Sequence, residues 1–448
     1  MISNLPSIRW NTPIQLIAMV FLINQAVFVY AQNSTDQTQF QASSNSELVQ
    51  SIDRYEQALV NFNGIYDQSI TEAYLGLANA NSELGNFEEA NRVYGEALQS
   101  IRITNGLYAE QQLALLELYT MSASFERDWT QVDNNLNLSS HIASRIYENN
   151  DPRYLDAVSQ FASWKIRSHE RDIYGDRNDI SLREAIELYE DLIAGLLPAS
   201  AHYSERLASY LSAKGMAHYY SALYTASISL SDFPSSVSEF ITIQRCRQEV
   251  EIVDGRRVVV QVCEQEEIVN PEYFVGKQIE KDTMVQSRLS QMRNSFRRAA
   301  DTVVADPQAT LEQRARAILN LGDINFLIQE YGRANTQYSR VDELLSTDGV
   351  LNGLRDRLIG ESKQVMVGVL DELPFDAELD SASPIGIVSF DVTRTGDIQN
   401  INIAGSFAAL EDSNQALVME KLSQSVYRPK IVEGRPIESR LRVSADDL

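Results

Sequence analysis

Histidine and cysteine are both scarce, four and two in 448 residues, which leaves few side chains for nucleophilic, acid–base or metal chemistry. No Gly-x-Ser-x-Gly elbow, phosphate-binding loop or dinucleotide fingerprint occurs. His169-Glu170-Arg171-Asp172-Ile173 opens as a zinc-protease helix does, but Ile stands where the second ligand belongs, so no metal is expected there. The pattern therefore points away from an enzyme and calls for no cofactor. Proline is also sparse, 11 in the chain, and nowhere clustered, which excludes an extended Pro-rich stalk. Positive charge is short: 38 basic against 62 acidic residues, a net charge of −24. Such a surface works against nucleic acid or anionic lipid as a partner.

What is present is a globular composition, 44% hydrophobic and 22% charged, long enough for two or three domains. The one long apolar run, Ile14 to Ala31, follows a single basic residue, Arg9. Val29-Tyr30-Ala31 then offers small residues where a signal peptidase reads. Residues 1–31 read as a cleaved secretory signal or, being near the lower length for a span, a retained membrane anchor. Either places the bulk of the chain in the periplasm, free or anchored at the inner membrane. Residues 32–45 read as a flexible linker.

The two cysteines suit an oxidising compartment. Cys246 stands eight positions before Asp254 and Cys263 eight after Gly255, and Asp-Gly favours a two-residue hairpin loop. Counting outward from a hydrogen-bonded Val253–Arg256 pair, the cysteines meet at a non-hydrogen-bonded site, where side chains come closest. A cross-strand disulfide is expected, contributing about 3 kcal/mol in the chain-entropy view. The β-branched arms on either side place a hairpin at about residues 240–272, after a loop over Ser227 to Ser238.

Elsewhere from 46 to 368 the period is helical, and a repeat lies within it. One copy reads Leu77-Ala78-Asn79-Ala80, Gly85, Ala90, Tyr94, Ala97; another reads Leu321-Gly322, Tyr331, Ala334, Tyr338, Val341. Weaker copies are carried by Tyr119, Trp129, Val132, Leu136 and Ser139, and by Leu182, Ala185, Tyr189 and Leu192. The spacing resembles the tetratricopeptide repeat, a helix-turn-helix unit. The resemblance implies an α-solenoid, with the hairpin as an insertion, a helix over Leu351 to Met366 covering its last face, and a groove on its concave side. The cluster His218-Tyr219-Tyr220 with Tyr224 is either helix packing or part of that groove.

The last segment changes period. Val388, Phe390 and Val392 alternate with polar residues, Thr395-Gly396-Asp397 turns the chain, and Ile401 and Ile403 alternate in turn. Asp412 or Ser413 can cap a helix carrying Ala416, Met419, Leu422 and Val426. Pro429 ends it, Gly434 turns, and Ile437, Ser439, Leu441 and Val443 share a face of a final strand. These residues predict one helix on a three-stranded antiparallel sheet. Together Gly386 to Ile403, Tyr427-Arg428-Pro429-Lys430 and Gly434-Arg435-Pro436 resemble the periplasmic C-terminal domain of TonB and related energy transducers. The expected fold is thus mainly α: a tetratricopeptide-like solenoid with a hairpin insertion, then a small α+β domain at 371–448.

The TonB resemblance implies envelope proteins as partners, outer-membrane receptors among them, bound by adding a strand to the last strand. That strand is Glu438, Ser439, Arg440, Leu441, Arg442 and Val443, with both arginines on its outer face. The alternative is an edge covered within the chain, by Ser444 to Leu448 or by the solenoid. Two departures bear on function: the histidine-bearing membrane helix and the Pro-rich segment of the true transducers have no counterpart here. An exported scaffold or adaptor and an atypical transducer both fit these residues.

Overall fold

The computed structural model describes residues 36–61, 68–175, 178–196, 203–254, 256–346, 352–365, 387–404, 422 and 425–444. The signal segment, His202, Gly255 of the hairpin loop and, apart from Leu422, Ser425 and Val426, the expected C-terminal helix lie outside them. Among the described residues the protein is mainly α, with small antiparallel strands. It divides into two compact units, residues 1–127 and 128–448.

The first unit holds four helices: α1 (Asp36–Val60), α2 (Gln68–Glu83), α3 (Phe87–Asn105) and α4 (Gln111–Phe125). Each packs on the next in chain order. Helix α1 begins at Asp36, inside the stretch expected to be a linker. The sequence from 36 to 45 contains neither Pro nor Gly, so nothing in it breaks a helix that continues into the amphipathic part.

The second unit contains α5 (Trp129–Ile146), α6 (Pro152–Glu170), α7 (Asn178–Leu196), α8 (Ser204–Ser227), α9 (Tyr273–Ala305), α10 (Leu311–Leu327), α11 (Tyr331–Ser346) and α12 (Asn352–Ile359). Local chemistry sets the starts. Asp151 caps α6, with Pro152 in its first turn. A capping box opens α10: Thr310 Oγ1 accepts from the Gln313 amide at 3.2 Å, and the Gln313 side chain accepts from the Thr310 amide at 2.8 Å. Again each helix packs on its successor, and one core runs from α5 through α10.

The two repeat copies are built alike. Leu77, Ala78, Ala90, Tyr94 and Ala97 are buried, as are Leu321, Gly322, Ala334, Tyr338 and Val341. In each hairpin an Asn amide bonds back to the first Leu carbonyl, Asn81 to Leu77 at 3.0 Å and Asn325 to Leu321 at 2.8 Å. The turn residue has positive φ in both, Gly85 at +78° and Gln329 at +63°. The buried tyrosine then hydrogen-bonds across the pair: Tyr94 donates to Asn79 at 2.7 Å, and Tyr338 to Asp323 at 2.9 Å. Leu182, Ala185, Tyr189 and Leu192 are likewise buried.

Strands β1 (Phe240–Val253) and β2 (Arg256–Val269) form a two-stranded hairpin between α8 and α9. Cys246 pairs with Cys263 in the register, and the disulfide is formed. Its base is held by α9: Lys277 Nζ donates to the Ser231 carbonyl at 2.9 Å, Lys281 Nζ to the Ala226 carbonyl at 2.9 Å, and Glu280 accepts from the Ser236 amide at 3.0 Å.

The short strand β3 (Lys363–Gln364) follows α12. Further on come β4 (Ile387–Val392), β5 (Ile398–Ala404), β6 (Tyr427–Arg428), β7 (Lys430–Val432), β8 (Arg435–Ile437) and β9 (Ser439–Ser444). The main sheet is antiparallel in the order β5-β4-β9, while β3 pairs with β6 and β7 with β8. Helix α12 is shorter than the span expected, because the chain after Gly360 turns into β3. Its Leu354, Leu358 and Ile359 do join the core of α10 and α11.

Two glycines test this packing. A Cβ on Gly322 would lie 2.7 Å from the Tyr338 ring, whereas one on Gly95 would meet only the Tyr119 hydroxyl at 3.9 Å. Gly322→Ala is expected to destabilise by about 1–3 kcal/mol, and Gly95→Ala to stabilise by up to about 1 kcal/mol. Denaturant titration of both variants checks the contrast.

Candidate functional site

The C-terminal sheet is built on β4, whose Val388, Phe390 and Val392 are all fully buried. Ile398 and Ile401 of β5 both pack on this core although three residues apart, which plain alternation forbids. The register shifts opposite Ser389 to Asp391, and Asn400 takes a φ of +52°. This bulge restores both isoleucines to the core side.

Strand β9 lies on the other flank of β4, and no strand lies beyond it among the described residues. Phe390 faces Leu441, Val388 faces Val443, Asp391 faces Arg440 and Ser389 faces Arg442. Leu441 and Val443 are half-buried against the core, Arg440 and Arg442 exposed. Arg440 lies 3.9 Å from Asp391, a loose surface pair of small energetic weight. The predicted strand residues are thus gathered on one edge, with Glu438 exposed just before it.

The sheet is locked onto α10 and α11. Arg428 of β6 is 3% exposed; its Nη1 donates to Asp323 Oδ2 at 2.9 Å and its Nη2 to the Leu358 carbonyl at 2.6 Å. The other Asp323 oxygen accepts from Tyr338. Burial pushes the Asp323 carboxyl up, against the pull of the Arg428 charge and the Tyr338 hydroxyl. Burial also raises Tyr338 well above the usual phenol range, keeping it a donor. Around this pair, Lys430 donates its amide to Ser362 at 3.1 Å, Tyr427 meets Phe390 edge-on at 4.9 Å, and the Gly434 carbonyl accepts from Ser339 at 3.3 Å. Gly396, with φ +85°, lets its turn sit so close to Phe326 that a Cβ would lie 2.6 Å from the ring.

Sequence reading missed this lock. A signal for it exists: Asp323 occupies the place that Asn79 holds in the other copy, and an acid at a core-facing position demands a cation.

A concavity of about 840 Å³ opens between the start of α8, the end of α9 and α10. Its lining is mixed, with Ser204, Arg206, Asp306 and Arg316 beside Phe296 and Val303. Arg206 reaches Asp156 at 3.1 Å, and its Nη1 has no partner among the described residues.

His218 is buried on α8, and His169 packs against the Tyr220 and Tyr224 rings. No group of three or more His, Cys, Asp or Glu side chains that could hold a metal ion occurs among the described residues. Nor is any described helix long and apolar enough to cross a membrane. No protein-family model matches the chain, and no curated protein matches it.

Removing one partner of the buried pair should expose its cost. Arg428→Met or Asp323→Asn alone is expected to destabilise by about 3–5 kcal/mol, since each leaves a buried group unanswered. The double variant should recover most of that loss, because the amide introduced by Asp323→Asn can accept from Tyr338 as Asn79 does from Tyr94. A double-mutant cycle by urea unfolding measures the coupling.

A pH dependence follows from His218. Burial first, then the Lys214 and Arg288 charges, push it down to about 4, with Glu190 opposing. The unfolded state takes up this proton near pH 6.5 and the folded state does not, so the contribution is complete above 6.5 and fades as pH falls toward 4. The expected loss is about 3 kcal/mol, read as the denaturation midpoint against pH, with His218→Leu flattening that window.

Proposed function

We propose that the chain is an exported scaffold or adaptor of the cell envelope, a tetratricopeptide-like solenoid ending in a TonB-C-terminal-like domain. The single observation that carries the reading is β9. It is an outer strand of its sheet among the described residues, apolar toward the core and arginine-bearing toward solvent. Such an edge offers main-chain donors and acceptors to an extended peptide, and its side chains bias the choice toward acidic sequences. The mixed polar and apolar cleft between α8, α9 and α10 would offer a groove for a second partner.

A second reading, an atypical TonB-type transducer working with outer-membrane transporters, draws support from the lock between sheet and helices. A buried ion pair and two close contacts join β6 and the turns at Gly396 and Gly434 to α10 and α11. A helical spacer would then stand in for the missing Pro-rich segment. In this reading residues 1–31 stay as the inner-membrane anchor, while the adaptor reading has them cleaved.

Leu441→Pro removes one main-chain donor of β9. It is expected to abolish periplasmic cross-linking of the C-terminal domain to its partners while far-UV dichroism of the helices is unchanged. Unchanged capture would refute strand addition. Loss of receptor-dependent uptake on deleting residues 371–448 would favour the transducer over the adaptor.

A further inference from the structure

The β1–β2 hairpin is unlike the other strands. It is a two-stranded sheet with no third strand on either edge among the described residues, and nearly every residue from Gln244 to Ile252 is exposed. Val250 and Ile252 are 61% and 73% exposed. An isolated two-stranded ribbon is marginal in water, and its edges are templates for another strand. The disulfide keeps the ribbon closed; it does not satisfy the edges.

The outer edge of β1 carries a charge pattern that reads as its own complement. Arg245-Cys246-Arg247-Gln248-Glu249-Val250-Glu251 places two positive residues and two negative ones symmetrically about Gln248. We infer that β1 pairs antiparallel with β1 of a second copy of this chain, on a two-fold axis through Gln248, giving a four-stranded sheet in the order β2-β1-β1-β2.

Hydrogen-bond phase supports that register independently of charge. The Cα atoms of Cys246 and Cys263 are 4.0 Å apart, the short spacing of a non-hydrogen-bonded pair. The N–H and C=O groups of Cys246 therefore point away from β2, as do those of Gln244, Gln248, Val250 and Ile252, which share its phase in an unbroken register. With the axis on Gln248, these five residues are the ones that face the second copy. Gln248 exchanges both bonds with its counterpart, and the edge forms roughly ten main-chain hydrogen bonds.

The charged residues then fall at the intervening sites, where side chains across an antiparallel pair lie closest. Arg245 stands opposite Glu251 of the second copy, and Arg247 opposite its Glu249, each pair occurring twice by symmetry. Within one chain Arg245 reaches Glu266 at 3.1 Å, and Arg247 reaches Glu249 at 2.5 Å and Glu264 at 3.4 Å. Glu251 faces Val258 in its own hairpin, so the second copy brings it a cation that β2 does not. Strand β2 has no such symmetry: Arg256 and Arg257 lie at one end and Glu264, Glu266 and Glu267 at the other, and no in-phase register matches most of them.

The net charge of −24 opposes association, but the geometry relieves it. Antiparallel pairing about Gln248 sets the two hairpin bases at Phe240 roughly 50 Å apart along the sheet. Repulsion between the bodies is screened over about 8 Å. The inference goes beyond the adaptor reading and does not depend on β9.

The test is sedimentation of the full mature chain, disulfide intact. Wild type is expected as a concentration-dependent dimer. Arg245→Glu with Arg247→Glu, and separately Glu249→Arg with Glu251→Arg, should each weaken it by about a hundredfold or more through like-charge contacts. Mixing the two variants one to one should restore a dimer, which also shows that each is folded. A monomeric wild type, dimers undisturbed by both reversals, or a mixture that stays monomeric would each overturn the inference, as would an edge that captures only a foreign strand. Leu441→Pro should leave the dimer intact.

Discussion

The ion pair between Asp323 and Arg428 is the constraint on which the C-terminal half is arranged. It joins residues 105 positions apart, and both are withdrawn from solvent far enough that either charge left unpaired would be costly. Once the guanidinium is seated against the carboxylate and the Leu358 carbonyl, β6 has no freedom to slide. The neighbouring contacts to Ser362, Ser339 and Phe326 then follow as a fixed set. A buried pair of this kind is weak evidence for net stability, but it is selective about geometry. It specifies which helical pair the sheet sits on.

That selectivity bears on how the sheet could work. Strand β4 is fixed through its buried face and through β6, whose Tyr427 ring lies on Phe390. Among the described residues the edge strand β9, like β5 on the opposite flank, has only β4 beside it. In the proposed adaptor, the rigid side faces the helices and the open side faces the partner. The hairpin repeats this division: a base tied down by Lys277, Glu280 and Lys281, and two edges with no further strand beside them among the described residues.

Much of this was legible in the residues because it depends on local period or on symmetric spacing. The cysteine register needed only the Asp254-Gly255 loop and the alternation of strand pairs. The buried anchors of the two hairpins, and the alternating core of β4, needed only side-chain period. What escaped depends on long-range or sub-period events. The bulge at Asn400 adds one residue to a strand without altering its composition, and β3 pairs over two residues, too few to carry a pattern. Arg428 read as part of a Tyr-x-Pro turn, because nothing nearby in sequence shows that an acid waits for it on α10. From Asp36 on, α1 occupies the stretch expected as a linker, since no Pro or Gly there stops a helix.

The exchange of Asn79 for Asp323 at equivalent places in two similar hairpins has a consequence for where each hairpin can stand. A hairpin with the neutral amide is content with its own tyrosine and can accept another hairpin beside it. A hairpin with the carboxylate is not, since it demands an arginine that only the following sheet supplies. Duplicating residues 311–346 in place would strand one of the two carboxylates without a cation. The acid thus ties this helical pair to a place beside the sheet that carries Arg428.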